Sequence, residues 1–222
     1  MISLAHNFLF IHLPKTAGNS VQNILLPYSD DHVHLAHARQ DGVERFEIRN
    51  SRYPQHRKHA TYQHYKNFME PEAFEGLYKF ATIRNPWDRC VSYYFSPHRG
   101  VSAFDPDAFE RLIVGQIRTV RQFTCPRTYL ERAMDRAGKP WLLERFRRDA
   151  IDQHIDFMMR FEHLEADLNH ILQHLGLPEQ SLPHRNQGKR EHYSTYYTPR
   201  TRKLVAEKFA EEIEWGQYTF EG

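Results

Sequence analysis

Residues 8–20, FLFIHLPKTAGNS, contain the pattern on which the interpretation of this chain depends. The stretch from Phe8 to Leu13 is mostly apolar, lacks alternation and has the length of a strand. Such a run is typical of a strand buried on both faces of a parallel sheet. Pro14 ends it, and small and capping residues precede apolar residues at helical spacing from Val21 to Leu25. A strand, a tight turn and a helix in this order are typical of a phosphate cradle.

Two further apolar segments extend the predicted sheet. Residues 77–83 are predicted to form a second buried strand, and Asn85-Pro86 supplies an N-cap and a first-turn proline for the next helix. Residues 157–161 are the third strand candidate, and the amphipathic helix after them ends at Gly176. Strands that alternate with helices indicate an α/β fold, here a P-loop-like three-layer fold with a central, mostly parallel sheet flanked by helices.

The remaining segments carry weaker signals. Residues 30–69 are polar, rich in His and Arg, and poorly periodic, so we expect loops and short helices there. Residues 104–150 have helical patterns with Arg-rich faces. The last helix is predicted to have Thr198 as its cap and Pro199 in its first turn. The chain has no internal repeat or Gly/Ser linker, so residues 1–222 are predicted to form one domain.

Composition excludes several classes of protein. The 222 residues are 40% hydrophobic and 14% aromatic, which is too high for a disordered chain. No apolar run approaches the roughly 18 residues that span a bilayer, so no integral membrane segment is expected. Two cysteines, Cys90 and Cys125, argue against a disulfide framework and for a reducing, cytoplasmic location. A luminal domain separated from its anchor is also compatible with these features.

Charge is almost balanced, with 30 Lys and Arg against 28 Asp and Glu. A nucleic-acid-binding protein would usually be far more basic than this net charge of +2, so no nucleic-acid partner is expected. Arg outnumbers Lys by 22 to 8, and the planar guanidinium group suits phosphate and sulfate oxygens. A compositional bias of the lineage explains this excess equally well.

Residues 14–20, PKTAGNS, are the first candidate site and are called the anion loop below. The N–H groups at a helix start bind anions, Gly18 allows the backbone to approach them closely, and Lys15 adds a mobile positive charge. The chain lacks the ATP-binding pattern GxxxxGK[ST], so the loop suits an anion better than a magnesium nucleotide. A capped helix with a surface lysine would show the same pattern.

A second candidate site follows the second predicted strand, in residues 84–94, RNPWDRCVSYY. Arg84 is expected at the carboxyl end of that strand, where open α/β sheets bind ligands. Arg89 and Ser92 are three residues apart on the next helix and are expected to share a face. Two guanidinium groups and a hydroxyl would hold a second phosphate. A salt bridge with Asp88 or another acid is the competing role for Arg89.

Together the two motifs resemble those of the PAPS-dependent sulfotransferases, specifically the carbohydrate O-sulfotransferase branch and its bacterial relatives. The C-terminal third agrees with this resemblance. It contains RFEHL at 160–164, a tyrosine-rich segment at 193–197 and WGQYTF at 215–220, which are similar to the tail of that family. Gln217 is an insertion relative to the G-Y pair of the family.

The resemblance implies the donor 3′-phosphoadenosine-5′-phosphosulfate (PAPS), the product 3′,5′-ADP, and no requirement for a metal. The loop residues that would hold the 5′-phosphosulfate are Lys15, Thr16, Ala17, Gly18, Asn19 and Ser20, with Lys15 beside the departing bridging oxygen. Arg84 and Ser92 would bind the 3′-phosphate, for which Arg190 is a weaker candidate. The acceptor would be a hydroxyl, in this branch on a carbohydrate. The oligomeric state is left open.

An acceptor hydroxyl loses its proton as it attacks sulfur, and His is the side chain best suited to take that proton near neutral pH. His59 resembles the catalytic His of the carbohydrate branch in its place in the chain, so the catalytic candidates are His59 and Lys15. His64 and His56 are the alternatives to His59. Glu162 is a candidate for orienting Lys15, for acting as the base, or for capping the helix that follows it.

Other interpretations remain beside these. His32, His34 and His37 lie close together, but no Cys or spaced acid completes a zinc site, so no metal site is predicted. Six arginines are candidates either for an anionic glycan surface or for a solvated helix face: Arg99, Arg118, Arg121, Arg145, Arg147 and Arg148. The alternative functions are a P-loop-type nucleotide kinase and a non-catalytic module that binds nucleotides or glycans.

Overall fold

The computed structural model describes residues 1–37, 45–126, 149–182 and 190–221. Its central sheet consists of β1 (Ile2–Ser3), β2 (Phe8–Ile11), β5 (Tyr78–Ile83) and β6 (Phe157–Arg160). The strand order is β1-β2-β5-β6, in which β1 is antiparallel to β2 and the other neighbours are parallel. The three predicted strands and the mostly parallel α/β sheet are therefore confirmed.

The parallel strands are buried on both faces, which explains their unbroken apolar sequence. All four residues of β2 are fully buried, and Phe10 pairs with Phe80 of β5. Alternate residues enter two separate cores, because successive side chains of a strand point to opposite faces. Phe10 and Phe80 lie in one core, whereas Leu9 and Ile11 lie in the other.

Helices cover both faces of this sheet. In chain order they are α1 (Gly18–Leu25), α2 (Tyr62–Phe68), α3 (Pro71–Gly76), α4 (Pro86–Tyr94), α5 (Pro106–Gly115), α6 (Arg121–Thr124), α7 (Leu164–His174), α8 (Pro199–Lys208) and α9 (Ala210–Gly216). Helices α1 and α7 share the core of Phe10, whereas α2 and α3 share the core of Leu9. A third cluster joins α4, α5 and α8. The layers are thus helices, sheet and helices, as predicted.

Two predicted helix starts are confirmed by their caps. The side chain of Asn85 accepts hydrogen bonds from the N–H groups of Trp87 at 3.1 Å and Asp88 at 3.4 Å. Thr198 accepts one from the N–H group of Thr201 at 3.2 Å. The first N–H groups of a helix have no partner inside it, so these caps fix where α4 and α8 begin. Helices α5 and α6 agree with the helical prediction, and residues 127–148 lie outside the described residues.

Residues 31–50 differ from the predicted loops and short helices. They contain the antiparallel strands β3 (Asp31–His37) and β4 (Arg45–Asn50), with Val33 opposite Ile48. Ile48 is buried, whereas Val33 is 40% exposed. Polar and apolar residues do alternate in both strands, as in residues 32–35 (HVHL) and 45–49 (RFEIR), so the signal of a half-buried strand was present and the interpretation of the stretch as poorly periodic was wrong. Among the described helices, none is long and apolar enough to cross a membrane.

A buried ion pair joins α4 to α9. Nη1 of Arg89 lies 3.1 Å from Oε2 of Glu212, and the two side chains are 2% and 1% exposed. Arg89 also donates to the carbonyl of Arg118 at 3.0 Å, and Glu212 accepts from the N–H group of Val120 at 2.6 Å. The expectation that Arg89 faces a ligand is therefore wrong, because Glu212 compensates its charge in the interior.

Replacing Glu212 by Ala should lower the free energy of unfolding by about 3–5 kcal/mol, because the Arg89 charge would remain buried without its counter-ion. Chemical denaturation followed by circular dichroism measures this loss. Glu214→Ala, an exposed position of the same helix, is the matched control and should change stability by less than about 0.5 kcal/mol. Equal effects of the two substitutions would contradict the stabilising role of the ion pair.

Candidate functional site

Three segments meet at the carboxyl edge of the parallel strands. The anion loop follows β2, Arg84 follows β5, and Glu162 follows β6. Parallel strands end at the same edge of a sheet, where α/β proteins bind their ligands. Nη1 of Arg84 donates to the carbonyl of Lys15 at 3.1 Å, so the two candidate segments of the sequence are in direct contact.

The anion loop has a backbone shape that concentrates N–H groups. Lys15 and Ala17 have φ angles of 68° and 62°, in the left-handed region that residues other than glycine rarely adopt. Between them, the buried Thr16 donates its hydroxyl to the carbonyl of Leu13 at 3.0 Å and so holds the turn. Left-handed residues beside a helix start form a concave nest of N–H groups, which suits an oxyanion.

Gly18 is required in the loop for a reason other than the predicted approach to a ligand. A Cβ atom at this position would lie 2.0 Å from Cδ2 and 2.1 Å from Nε2 of His12. The His12 ring, which is 3% exposed, fills the space that any other side chain would need. The loop backbone and the His12 ring are therefore packed directly against each other.

Asp88 links two of the predicted phosphate-binding arginines. Arg84 donates to Oδ2 of Asp88 from Nε at 2.8 Å and also from Nη2, while Nη2 of Arg190 donates to Oδ1. The side chains of Arg84, Asp88 and Arg190 are 12%, 21% and 21% exposed. The guanidinium carbon of Arg84 lies 3.9 Å from the centre of the Phe161 ring. Asp88 therefore pairs with Arg84 and Arg190, not with Arg89.

Ser92 lies one helical turn beyond Asp88 on α4. Residues four apart on a helix share a face, so the half-buried Ser92 lies on the side where Asp88 meets Arg84 and Arg190. Arg89 is directed elsewhere, into its ion pair with Glu212. Of the residues predicted for the second phosphate, the structure joins Arg84 and Arg190 through Asp88, and Ser92 lies one turn further along the same helix.

Four positively charged side chains, Lys15, Lys58, Arg84 and Arg190, form what we call the cation group. Burial, and then repulsion from Arg84 and Arg190, lower the pKa of Lys15. Burial and then Lys15 lower the pKa of Lys58 to about 8. Burial also lowers the pKa of Arg84, an effect that Asp88 opposes and Arg190 increases. A bound anion relieves such repulsion, so this edge of the sheet is suited to a polyanion.

His59 is hydrogen-bonded to the end of the strand that precedes the anion loop, and its ring contacts the His12 ring, which packs against Gly18 of that loop. Its Nδ1 atom is 3.0 Å from the carbonyl oxygen of His12. A carbonyl only accepts, so Nδ1 carries the proton and Nε2 keeps a lone pair. Burial lowers the pKa of His59, opposed by the hydrogen bond to His12, and Lys58 lowers it further. Near neutral pH His59 is therefore uncharged and able to accept a proton.

The two alternative histidines have partners in the fold. Nδ1 of His64 accepts from the N–H group of Thr61 at 3.2 Å, and the Thr61 side chain accepts in turn from the N–H group of His64. This reciprocal cap begins α2. Nε2 of the buried His56 lies 3.3 Å from the Asp31 carboxylate. Neither arrangement directs an imidazole to the anion loop.

The three histidines considered for zinc all belong to β3. His32 and His34 are exposed, opposite Arg49 and Glu47 of β4. In the described ranges, no group of three or more His, Cys, Asp or Glu side chains could hold a metal ion.

Glu162 connects the site to the C-terminal tail. Its Oε1 atom accepts from the N–H group of Asn85 at 2.9 Å, and Oε2 accepts from the Tyr218 hydroxyl at 2.9 Å. The amide of Asn85 also donates to the carbonyl of Thr219 at 3.3 Å. Both carboxylate oxygens of Glu162 thus hold the Asn85 segment and the tail together, an arrangement that differs from the orientation of Lys15, which was one of its three candidate roles.

The insertion at Gln217 gives the tail its direction. Gln217 has a φ angle of 53° and ends α9 in the left-handed region. A Cβ atom at Gly216 would lie 2.2 Å from the Tyr218 ring. The chain therefore folds back so that Tyr218 covers Gly216 and reaches Glu162.

The arginines proposed for a glycan surface separate into three groups. Arg121 is buried in ion pairs with Glu211 and Asp149, so it belongs to neither a glycan surface nor a solvated face. Arg99 is exposed and Arg118 is half-buried. The remaining three, Arg145, Arg147 and Arg148, lie outside the described residues.

Two residues at this edge received no role in the sequence analysis. Lys58 belongs to the cation group, and His12 contacts both Gly18 and His59. A signal existed for His12, because a histidine inside an otherwise apolar strand has to be given a partner by the fold. The signal for Lys58 was only its position next to His59.

One comparison with known proteins identifies the family of the chain. The model of the sulfotransferase family matches residues 1–215. No curated protein and no solved structure matches the chain. The matched range includes the anion loop, His59, the Arg84 segment and Arg190. Because the family model covers nearly the whole chain, the protein belongs to the sulfotransferase family and is a sulfotransferase.

Proposed function

We propose that this sulfotransferase moves the sulfuryl group of PAPS to a hydroxyl of a carbohydrate acceptor. The observation that carries the proposal is the cation group at the anion loop. PAPS bears a phosphosulfate at its 5′ position and a phosphate at its 3′ position, so it needs two neighbouring anion sites. Lys15 with the loop supplies one, and Arg84 with Arg190 and Ser92 supplies the other.

The arginine pair has an unused donor that fits a phosphate. Nη1 of Arg190 is buried, and within the described residues it has no hydrogen-bond partner. A buried guanidinium N–H without a partner is costly, and a phosphate oxygen would satisfy it with a charge-assisted hydrogen bond. Asp88 holds Arg84 and Arg190 on one side of α4, with Ser92 on the same face. This arrangement supports their assignment to the 3′-phosphate.

The anion loop and Lys15 are assigned to the 5′-phosphosulfate of the donor, where the leaving group forms. The N–H groups from Thr16 to Asn19, together with the Ser20 side chain, would hold the 5′-phosphosulfate, whereas the N–H group of Ser20 donates to the carbonyl of Ala17 at 2.9 Å. Lys15 would lie by the bridging oxygen and stabilise the negative charge that grows there as the bond to sulfur breaks. A sulfuryl group in transfer carries less negative charge than a phosphoryl group, so a lysine and backbone donors suit this reaction.

His59 is assigned as the general base. Its Nε2 atom would take the proton of the acceptor hydroxyl as the hydroxyl oxygen forms its bond to sulfur. The bond between sulfur and the bridging oxygen breaks at the same time, and its electron pair stays on the 5′-phosphate of 3′,5′-ADP. The contact of Nδ1 with the His12 carbonyl supports this role, because it leaves Nε2 unprotonated.

The acceptor class is supported by the resemblance of the two motifs to the carbohydrate branch. A kinase that uses ATP and a binding module that has lost its base are the competing functions. His59, with its uncharged imidazole beside the anion loop, favours catalysis over binding alone.

Incubation with PAPS and a panel of carbohydrate acceptors tests the proposal. We expect products heavier by one SO₃ group in mass spectrometry, together with 3′,5′-ADP, and the same rate in EDTA. ATP-dependent transfer that requires Mg²⁺ would instead establish the kinase. Binding of 3′,5′-ADP without transfer to any acceptor would establish the non-catalytic module.

Lys15→Ala should reduce kcat/KM for PAPS by roughly 100-fold, because the growing charge on the leaving oxygen loses its cation. Steady-state kinetics with varied PAPS measures the effect. Lys66→Ala, an exposed lysine of α2, is the control and should behave as the unsubstituted protein. Unaltered kinetics of Lys15→Ala would contradict the assignment of the loop.

His59→Gln should reduce kcat by about 100-fold or more and leave the affinity for 3′,5′-ADP nearly unchanged, because only the proton acceptor is removed. In the unsubstituted protein, kcat should fall as the pH is lowered through the pKa of His59, which lies below the ordinary 6.5. His64→Gln serves as the matched control, since His64 caps α2. A larger loss of kcat in His64→Gln than in His59→Gln would exclude His59 as the base.

A further inference from the structure

We propose that His12 is a positioning residue that fixes the base against the anion loop, so that His59 and the loop keep one relative geometry. The inference deepens the proposed function and rests on it for the role of His59. His12 is the first residue after β2, whose four residues are fully buried between β1 and β5. Its backbone is therefore held by the central sheet.

The first link from His12 runs through its carbonyl group. The carbonyl accepts the Nδ1–H of His59 at 3.0 Å. This hydrogen bond selects one tautomer of His59 and sets the direction of the opposite nitrogen, Nε2. The sheet thus determines which nitrogen of His59 is available to an acceptor.

The second link runs through the imidazole of His12. Its ring meets the His59 ring edge to face, with centroids 4.6 Å apart and planes at 67°. On another side it stacks on Phe10, with centroids 5.8 Å apart. The His12 ring is held inside the protein by Phe10 and serves as a wall for His59.

The third link joins the same ring to the anion loop. A Cβ atom at residue 18 would lie 2.0 Å from the His12 ring, closer than any real contact, so Gly18 and His12 are packed without spare room. A movement of the loop backbone therefore pushes the ring, and the ring touches His59. The anion loop and His59, which have different tasks, are thus both in contact with the buried side chain of His12.

The His12 ring carries no charge in this position. Burial lowers the pKa of His12 well below 6.5, with smaller effects of His59 and Lys58, and the side chain of Gln22 opposes them. An uncharged His12 adds no repulsion to the cation group and does not compete with His59 for the proton of the acceptor. Its contribution is the geometry of His59, which makes it a positioning residue.

NMR of the histidine side-chain nitrogens measures this geometry without relying on turnover. The signals of His59 are identified by their loss in His59→Gln. In the unsubstituted protein we expect the tautomer protonated at Nδ1 and a pKa below 6.5. In His12→Ala the backbone carbonyl remains and should still favour the tautomer protonated at Nδ1. The wall is removed and water reaches His59, so the pKa of His59 should rise toward 6.5. His12→Phe keeps the wall and should retain the original tautomer and pKa.

Kinetics should follow the same order. His12→Ala should lose about 10-fold or more in kcat, since the base is no longer held in place, and the acid limb of its pH profile should move to higher pH. His12→Phe should recover most of the rate, and His34→Ala, at an exposed position of β3, should change neither readout. An unchanged pKa of His59 in His12→Ala would overturn the inference.

The Gly18→Ala variant perturbs the same His12 ring from the side of the loop. It provides a second test if His12→Ala fails to fold. The added Cβ should displace the His12 ring and shift the His59 signals, and unshifted signals would likewise overturn the inference. Turnover by His59→Gln at the original rate is a different outcome. It would refute His59 as the base, whereas the NMR comparison would still decide whether His12 positions His59.

Discussion

The main constraint at the carboxyl edge of the parallel strands is electrostatic repulsion within the cation group, which consists of Lys15, Lys58, Arg84 and Arg190. Asp88 opposes this repulsion, because its carboxylate pairs with the guanidinium groups of both Arg84 and Arg190. Arg84 also donates a hydrogen bond to the carbonyl of Lys15. The cations are therefore oriented before any anion binds, and little rearrangement remains to be done on binding. Burial, and then repulsion from Arg84 and Arg190, lower the pKa of Lys15, and a polyanionic donor would relieve the repulsion.

The cation group and the base meet at Lys58. Lys15 and Arg84 follow the ends of β2 and β5 and Arg190 comes from the C-terminal part of the chain, whereas Lys58 is the neighbour of His59. Burial is the largest cause of the lowered pKa of His59, and Lys58 lowers it further because an imidazolium would repel that cation. One cation of the group thus also helps to keep the base in its proton-accepting form.

Much of this arrangement could be predicted from local sequence. Fully buried strands such as β2, and caps such as Asn85 and Thr198, are specified by a few adjacent residues. A salt bridge with an acid was one of the two roles expected for Arg89 and is confirmed, but its partner could not be predicted, because Glu212 lies far along the chain and only the packed core brings them together. The β3–β4 pair was missed although polar and apolar residues alternate in both strands, because this short alternation stands within a polar stretch rich in His and Arg. The need for Gly18 depends on the His12 ring, which sequence spacing does not place.

The tail that follows α9 has a consequence for how the chain can change during evolution. Tyr218 bonds to Glu162, and the Thr219 carbonyl accepts from Asn85, the residue next to Arg84. A substitution that removes the Tyr218 hydroxyl leaves a carboxylate oxygen of Glu162 without its partner beside a ligand-binding segment. Tyr218 and Glu162 should therefore covary among relatives, although they lie far apart in sequence and the proposed reaction uses neither of them.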